Sequence, residues 1–388
     1  MRAVHRRLLL AGVVAACVGG AAAFPVLADS SSPSLVKVTA AEGTPVPGRY
    51  IVTLKKGASA ESAVNKVKAT GAQRFDGVLN GFAAKLTGAQ LDKLRHDSRV
   101  AAIEQDQVMK AQGTQGSAPW GLDRIDQRKR PLSKSYHYTS LAKDVTAYVI
   151  DSGLDVTHSQ FGGRAAIAWV APTYNGNGAD CNGHGTHVAG IIGSSTYGVA
   201  KGVKLRALRV LDCDGTGYVS DLVSAAQWLR THAAKPAVAN ISIGAPKSAA
   251  LNTAVENLSR SGVFVSVAAG NENADACKSS PSGAGWVMAV GATTSYDNRA
   301  TFSNWGKCVD INAPGYDIRS TLPGNTTGLE SGTSMASPFV AGTAALYLQT
   351  HPKATFPTVQ KWLNDNSTKN VLGRMRSQAN RLLYKSNL

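Results

Sequence analysis

Ser334 stands among small residues, Ser331-Gly332-Thr333-Ser334-Met335-Ala336-Ser337-Pro338, that run directly into Phe339-Val340-Ala341-Gly342-Thr343-Ala344-Ala345-Leu346-Tyr347-Leu348. The second run is apolar on nearly every side and long enough for a buried helix. Gly332 is expected to let the chain turn sharply and approach another segment, and Pro338 to sit near the first turn of the helix. Ser334 would then open that helix. Unpaired N–H groups and the helix dipole there favour negative charge, so an oxyanion formed at this serine would be stabilised from the outset. Small residues after a turn also serve plain helix–helix packing, so Ser334 needs partners elsewhere before it means chemistry.

Two other stretches supply them. Asp151, in Asp151-Ser152-Gly153, directly follows the apolar run 145–150. A carboxylate there is costly to bury unless it is partnered, and the commonplace role for such an Asp is a turn or helix cap. His184, in Asn182-Gly183-His184-Gly185-Thr186-His187, lies between glycines at the start of a helical stretch, so its ring can be approached closely. His184 and His187 have a spacing that could hold a metal, but no Glu completes an H-E-x-x-H pattern. A serine hydroxyl, an imidazole to take its proton and a carboxylate to hold the ring tautomer are what nucleophilic acyl transfer requires. The tetrahedral charge needs donors as well. Ser334 N–H is one, and Asn271, in Ala268-Ala269-Gly270-Asn271 after a strand-like run, offers a side-chain amide as another.

The elements that must position these groups form two units. Between residues 48 and 112 the pattern is β-α-β-β-α-β: a strand at 50–54, a helix at 60–69, two short strands over 78–86 about the turn Asn80-Gly81, a helix at 89–96 and a strand at 100–104. That order fits a small ferredoxin-like α+β domain. A connector at 113–118 leads to a larger unit, 113–388, with apolar strands at 145–150, 205–211, 238–243 and 263–268 and helices at 187–193, 220–232 and 251–261. Such alternation predicts an α/β fold with a mostly parallel sheet covered by helices on both faces, and ligands beyond the carboxyl ends of its strands.

With 388 residues, 43% apolar and 17% charged, the chain is neither disordered nor membranous by composition. Met1–Arg7 is basic and residues 8–26 are mostly apolar or small, which predicts a secretory signal peptide over 1–28, followed by a flexible lead-in over 29–47. Val14-Ala15-Ala16-Cys17 resembles a lipoprotein cleavage box, although a chance Cys in such a run is commoner. Gly19, Gly20 and Pro25 interrupt the run, so no membrane span is expected. The net charge of +16 comes without a Lys/Arg run interleaved with aromatics, so no nucleic-acid groove is expected. Cys181, Cys213, Cys277 and Cys308 form an even set for an exported chain, with three possible pairings and no CxxC spacing for zinc.

Residues 149–153, 184–190 and 332–338 resemble the three active-site signatures of the subtilisin-like serine proteases, in that family's chain order Asp, His, Ser, and 268–271 resembles its oxyanion segment. Trp120-Gly121-Leu122-Asp123-Arg124-Ile125-Asp126-Gln127-Arg128 is similar to the proteinase K-like branch. The cysteine positions resemble aqualysin-type bacterial members, which implies Cys181–Cys213 and Cys277–Cys308. Residues 48–110 resemble the family's inhibitor propeptide, implying a self-made cut near Gln112/Gly113 and inhibition by the chain's own propeptide. By the same resemblance, protein or peptide substrates would lie extended between Gly215-Thr216-Gly217 and Ser242-Ile243-Gly244. Ala268-Ala269-Gly270 would wall an uncharged slot for an apolar or aromatic side chain before the scissile bond. Ala245-Pro246 departs from the family's usual second glycine, which leaves the outer subsites open. A structural Ca²⁺ is implied at the Asp310 carboxylate with the carbonyls of Gly285 and Val287. A second family site near Asp123, Asp126 and Gln127 is degraded here, since Ser133, Lys134 and Ser135 supply no carboxylate. No organic cofactor is implied, and a secreted, extracellular, monomeric enzyme is expected.

Overall fold

The structure, a computed structural model, describes residues 35–41, 45–111, 114–115 and 119–388. The expected leader, Cys17 and the junction at Gln112/Gly113 lie outside the described residues. The central sheet has nine strands. From one edge its parallel members are Ala165–Val170, Lys204–Arg209, Thr146–Asp151, Ala237–Ile241, Val263–Ala268, Met288–Thr293, Ile311–Pro314 and the short Arg381–Leu382. Every residue of Thr146–Asp151, Ala237–Ile241 and Val263–Ala268 is buried, which explains their continuous rather than alternating apolar character. The chain first winds to one side of Thr146–Asp151 and then resumes on the other at Ala237–Ile241. That reversal opens a crevice beyond the carboxyl ends of these two strands, where Asp151 and Ser242 stand.

Helices cover both faces. Thr333–Thr350 and His184–Gly193 pack on one core, and Val219–His232 with Ala249–Arg260 on the other. The serine helix is buried from Thr333 through Leu348. It shows no amphipathic stripe because it has no wet side. A Cβ on its Gly342 would stand 2.7 Å from Val199 Cβ, so only glycine lets the neighbouring segment so close.

Two local expectations at this helix are corrected. Gly332 is extended, at φ 163° and ψ 163°, not at a sharp turn; the close approach is to Gly315, whose carbonyl accepts Gly332 N–H at 2.7 Å. Pro338 lies in the sixth helical position, not the first turn. Its missing N–H leaves the Ser334 carbonyl without a helical donor, and Ser242 Oγ–H donates to that carbonyl at 2.7 Å instead.

The small unit is built as Pro45–Leu54, Ala60–Val67, Gln73–Phe75, Gly81–Lys85, Gly88–Arg95 and Val100–Ala111. Ser59 caps the first helix, and Thr87 with Gln90 forms a capping box on the second. Sheet order is Val100–Ala111, Pro45–Leu54, Gly81–Lys85, Gln73–Phe75, as a ferredoxin-like domain requires. The hairpin differs from expectation: its first strand is Gln73–Phe75, and Val78 and Leu79 lie in the turn. They are buried there because they join the apolar cluster of the two helices Val219–His232 and Ala249–Arg260. Parts of the expected lead-in also belong to the sheet, since Val38–Thr39 pairs with Ile103–Glu104 and the first long strand begins at Pro45.

Candidate active site

Asp151 ends its strand fully buried, and His184 opens its helix with a side chain 6% exposed. Their hydrogen bond, His184 Nδ1 to Asp151 Oδ1, is 2.8 Å. Ser152 N–H donates to the same carboxyl oxygen at 2.8 Å. Two glycines allow the approach. Gly183 has φ +107°, and a Cβ on Gly185 would lie 2.3 Å from the Gly153 carbonyl.

Asp180, which motif reading passed over, anchors this junction. Its Oδ1 accepts from Ser152 Oγ and Gly183 N, and its Oδ2 from Thr186 N and Thr186 Oγ1, at 2.6–2.9 Å. A buried carboxylate at a helix N-terminus satisfies orphan N–H groups and meets the positive end of the dipole. An Asp six residues before a Thr in the first turn was the available signal.

Ser334 is fully buried at the start of its helix. Its hydroxyl donates to the Ser242 carbonyl at 3.1 Å, so the structure holds it toward the end of the neighbouring edge. Beneath it runs a buried polar network: Asn240 Nδ2 donates to Ser242 Oγ, Ser337 Oγ to Asn240 Oδ1, and Ser266 Oγ to the Ser337 carbonyl. Asn271 faces the same helix start. Its Oδ1 accepts from Thr333 N and Thr333 Oγ1, each at 2.9 Å, which fixes the amide with its NH₂ end as the remaining donor. Thr333, not singled out from sequence, also accepts Gly270 N–H at 3.0 Å.

The expected substrate edges hold a strand of this same chain. Residues 108–110 pair antiparallel with Thr216–Tyr218, and residues 110–111 with Ile243–Gly244. Beyond the junction, Thr114 and Gln115 pair with Ser331 and Glu330. Gly215 and Ser242 are outside these ladders. Gly215, at φ +74°, shapes the turn from Asp212, and the Ser242 carbonyl is the one that receives the Ser334 hydroxyl. The second edge continues through Ala245 and Pro246, which pair on their other side with Ser280 and Ser279. Pro246 has no N–H to give, and its carbonyl accepts from Gln107 Nε2 at 3.0 Å.

Behind this edge lies a cavity of about 310 Å³ whose lining includes Gly244, Ala245, Ala268, Ala269 and Gly270. Glu272 and Lys278 line it too, correcting the expectation of uncharged walls. Glu272 Oε2 is held by Asn304 Nδ2 at 2.8 Å.

Two carboxylates of the small unit cap helices of the large one. Asp106 accepts from Ser220 N and Ser220 Oγ, and Glu104 from Ala250 N and Ser248 Oγ. Arg49 bonds Asp106 at 2.8 Å, and Gln73 Nε2 donates to Asp221 at 3.0 Å. Burial pushes the Glu104 and Asp221 carboxyls above their ordinary range. Both expected disulfides are present, Cys181–Cys213 and Cys277–Cys308, the first tying the approach to His184 to the Gly215 turn.

At the expected calcium position, Asp310 is half-buried and its carboxyl is pushed up to about 6, chiefly by burial. Ala289 N–H and Gln360 Nε2 are its hydrogen-bond donors. The carboxylate itself is the kind of hard oxygen donor such a cation takes. Near Asp123 the donors are N–H and O–H groups: Ser133 N, Ser133 Oγ and Lys134 N all donate to its carboxylate. No group of three or more His, Cys, Asp or Glu able to hold a metal occurs among the described residues, and His187 Nε2 faces the Ile318 carbonyl instead.

A serine opening a helix in the crevice of a doubly wound parallel sheet, with an acid–imidazole pair at the adjacent strand end, defines a serine hydrolase of the α/β class. Residues 142–381 match the Subtilase family and residues 49–112 the Peptidase inhibitor I9 family. The chain is 45% identical to an extracellular serine proteinase of Thermus sp. (strain Rt41A), covering 93% of this chain and 94% of that relative. It is 40% identical to proteinase R of Parengyodontium album, covering 86% and 88%. A solved cold-adapted subtilisin-like serine proteinase matches at 47% identity and a TM-score of 0.68, covering 69% of this chain and 97% of that one. The chain belongs to the subtilase family: it is a serine proteinase, a peptide-bond hydrolase preceded by an I9-type inhibitor propeptide.

Proposed function

We propose that this chain is a secreted, self-processing endopeptidase in which Ser334 is the nucleophile, His184 the general base and Asp151 the group that orients it. The observation that carries this reading is the chain's own residues 108–111, paired as an added strand on both edges beside Ser334, with 114–115 paired on the far side. A substrate would take the same path, held by main-chain hydrogen bonds. The Ser334 hydroxyl turns from the Ser242 carbonyl to His184 Nε2, attacks the carbonyl and gives its proton to the ring. Asp151 keeps Nδ1 protonated and stabilises the imidazolium. Ser334 N–H and Asn271 Nδ2 hold the oxyanion. The imidazolium protonates the leaving amine, and water then releases the acyl group by the same route.

The cavity behind Ala268–Gly270 accepts an apolar or aromatic side chain, and Glu272 at its wall also accommodates a long basic one. Self-cleavage falls near Gln112/Gly113. The capping carboxylates Glu104 and Asp106 then keep the severed unit docked as an inhibitor. Asp310, with the carbonyls of Gly285 and Val287, would hold a structural Ca²⁺. Extracellular relatives, the basic-apolar leader, and the fact that no described helix is long and apolar enough to cross a membrane support export.

A fluorophosphonate should label wild-type protein at Ser334 and leave Ser334→Ala unlabelled. N-terminal sequencing of exported material should find the new terminus near Gly113, and Ser334→Ala should remain full length. Mature protein recovered from Ser334→Ala in a protease-deficient host would refute self-processing.

A further inference from the structure

Glu330 is a buried carboxyl that the chemistry above does not use. It lies in the strand Thr326–Ser331, between Ile318 and Gln115, with a side chain 17% exposed. Its Oε2 stands 3.8 Å from Nδ1 of His187, longer than a hydrogen bond. His187 is fully buried, in the helical turn that follows His184. The Ile318 carbonyl 3.1 Å from its Nε2 can only accept, so Nε2 carries the ring proton and Nδ1 of the neutral ring is an acceptor. Neither His187 Nδ1 nor Glu330 Oε2 has a hydrogen-bond partner among the described residues. Two acceptors facing each other in a buried space repel unless one of them holds a proton.

The ring is not the holder. Burial, with His184 adding to it, holds His187 down to about 3 against the pull of the Ile318 and Gly328 backbone. Burial pushes Glu330 up to about 7, helped by Asp151 and Asp180 and opposed by His184. His187 is the group in contact range of this carboxyl, and the charges that act on it from farther off are those of His184 on the same helix, Asp151 at its strand end and Asp180 in the loop before that helix.

We propose that Glu330 is a positioning residue for His184: protonated, it is the neutral partner of His187; ionised, it sets a second carboxylate beside the imidazole that Asp151 already holds, and strengthens that base. This rests on His184 being the general base, as read above. Sequence pattern alone gave no sign of it, because Glu330 in Leu329-Glu330-Ser331 reads as an ordinary strand-edge acid.

The test is the pH dependence of kcat/KM for mature wild type, Glu330→Gln and Glu330→Leu, on a neutral peptide p-nitroanilide whose leaving group has no side chain to contact the strand. Wild type is expected to rise in two acid-side steps. Both variants should show one, displaced about half a pH unit lower, with a plateau about three-fold lower, as loss of one nearby charge implies. Profiles that superimpose on wild type, or shift upward, overturn the proposal. Wild type that neither cleaves nor labels with a fluorophosphonate would sink the hydrolase reading instead, before either variant is measured. If the variants do not fold, the His184 ring proton is titrated by NMR in wild type: a second inflection near neutral pH supports the proposal and a single one overturns it.

Discussion

Ser242→Ala probes how the nucleophile's helix tolerates Pro338. The lost hydroxyl donates to the Ser334 carbonyl at 2.7 Å and accepts from Asn240 Nδ2 at 2.8 Å, and all of these residues are fully buried. Leaving a buried polar group unsatisfied costs about 1–3 kcal/mol, so two of them cost about 2–6 kcal/mol. Partial relaxation brings the expectation to about 2–4 kcal/mol. Pro338→Ala restores an N–H at the position from which a helix bonds the Ser334 carbonyl. In that background, Ser242→Ala should cost about 1–2 kcal/mol less, a coupling that a double-mutant cycle isolates. Urea unfolding of the Ser334→Ala precursor, followed by tryptophan fluorescence, measures all four proteins without autolysis. Equal costs in the two backgrounds, or a single-mutant cost below about 0.5 kcal/mol, would refute the exchange of a helical hydrogen bond for a side-chain one.

Asn271→Ala should lower kcat about 10²–10³-fold with little change in KM, and Thr333→Ala, which removes one of the two hydrogen bonds holding the Asn271 amide, should lose a smaller part of the same factor. Asn271→Ala activity within about three-fold of wild type would remove this amide from the oxyanion site. The docked inhibitor unit should leave faster as pH rises. Glu104 and Asp221 have raised values when docked, so docking favours their protonated forms; that contribution is whole below the ordinary carboxylate range and is lost as pH climbs through the raised values. Release rates measured from pH 4 to pH 9, about the span those carboxyls cover, should rise for wild type and less steeply for Glu104→Gln; faster release in acid contradicts this. Chelation should accelerate thermal inactivation of mature wild type but not of Asp310→Asn, and an equal effect on both would place the cation elsewhere.

Sequence alone determined the fold class and the chemical groups. Continuous apolar runs between helical stretches mean strands buried on both faces, and that periodicity is local enough to read without coordinates. Asp151, His184, Ser334 and Asn271 were legible because each is embedded in an unusual run of glycines and small residues whose backbone demands are also local. Tertiary structure alone decided what meets those groups. The Ser242 hydroxyl that replaces Pro338's missing donor comes from a strand end far away in sequence. Burial and packing likewise give their roles to the Asp180 carboxylate beneath the histidine helix, the charged Glu272 and Lys278 at the cavity, and Glu330 opposite His187. Pattern could not announce them, because Ser, Asp and Glu are common at strand ends and turns. Their meaning comes from burial and from the partner across the gap, and both are set by how the chain crosses over itself between the first parallel strand and the fourth.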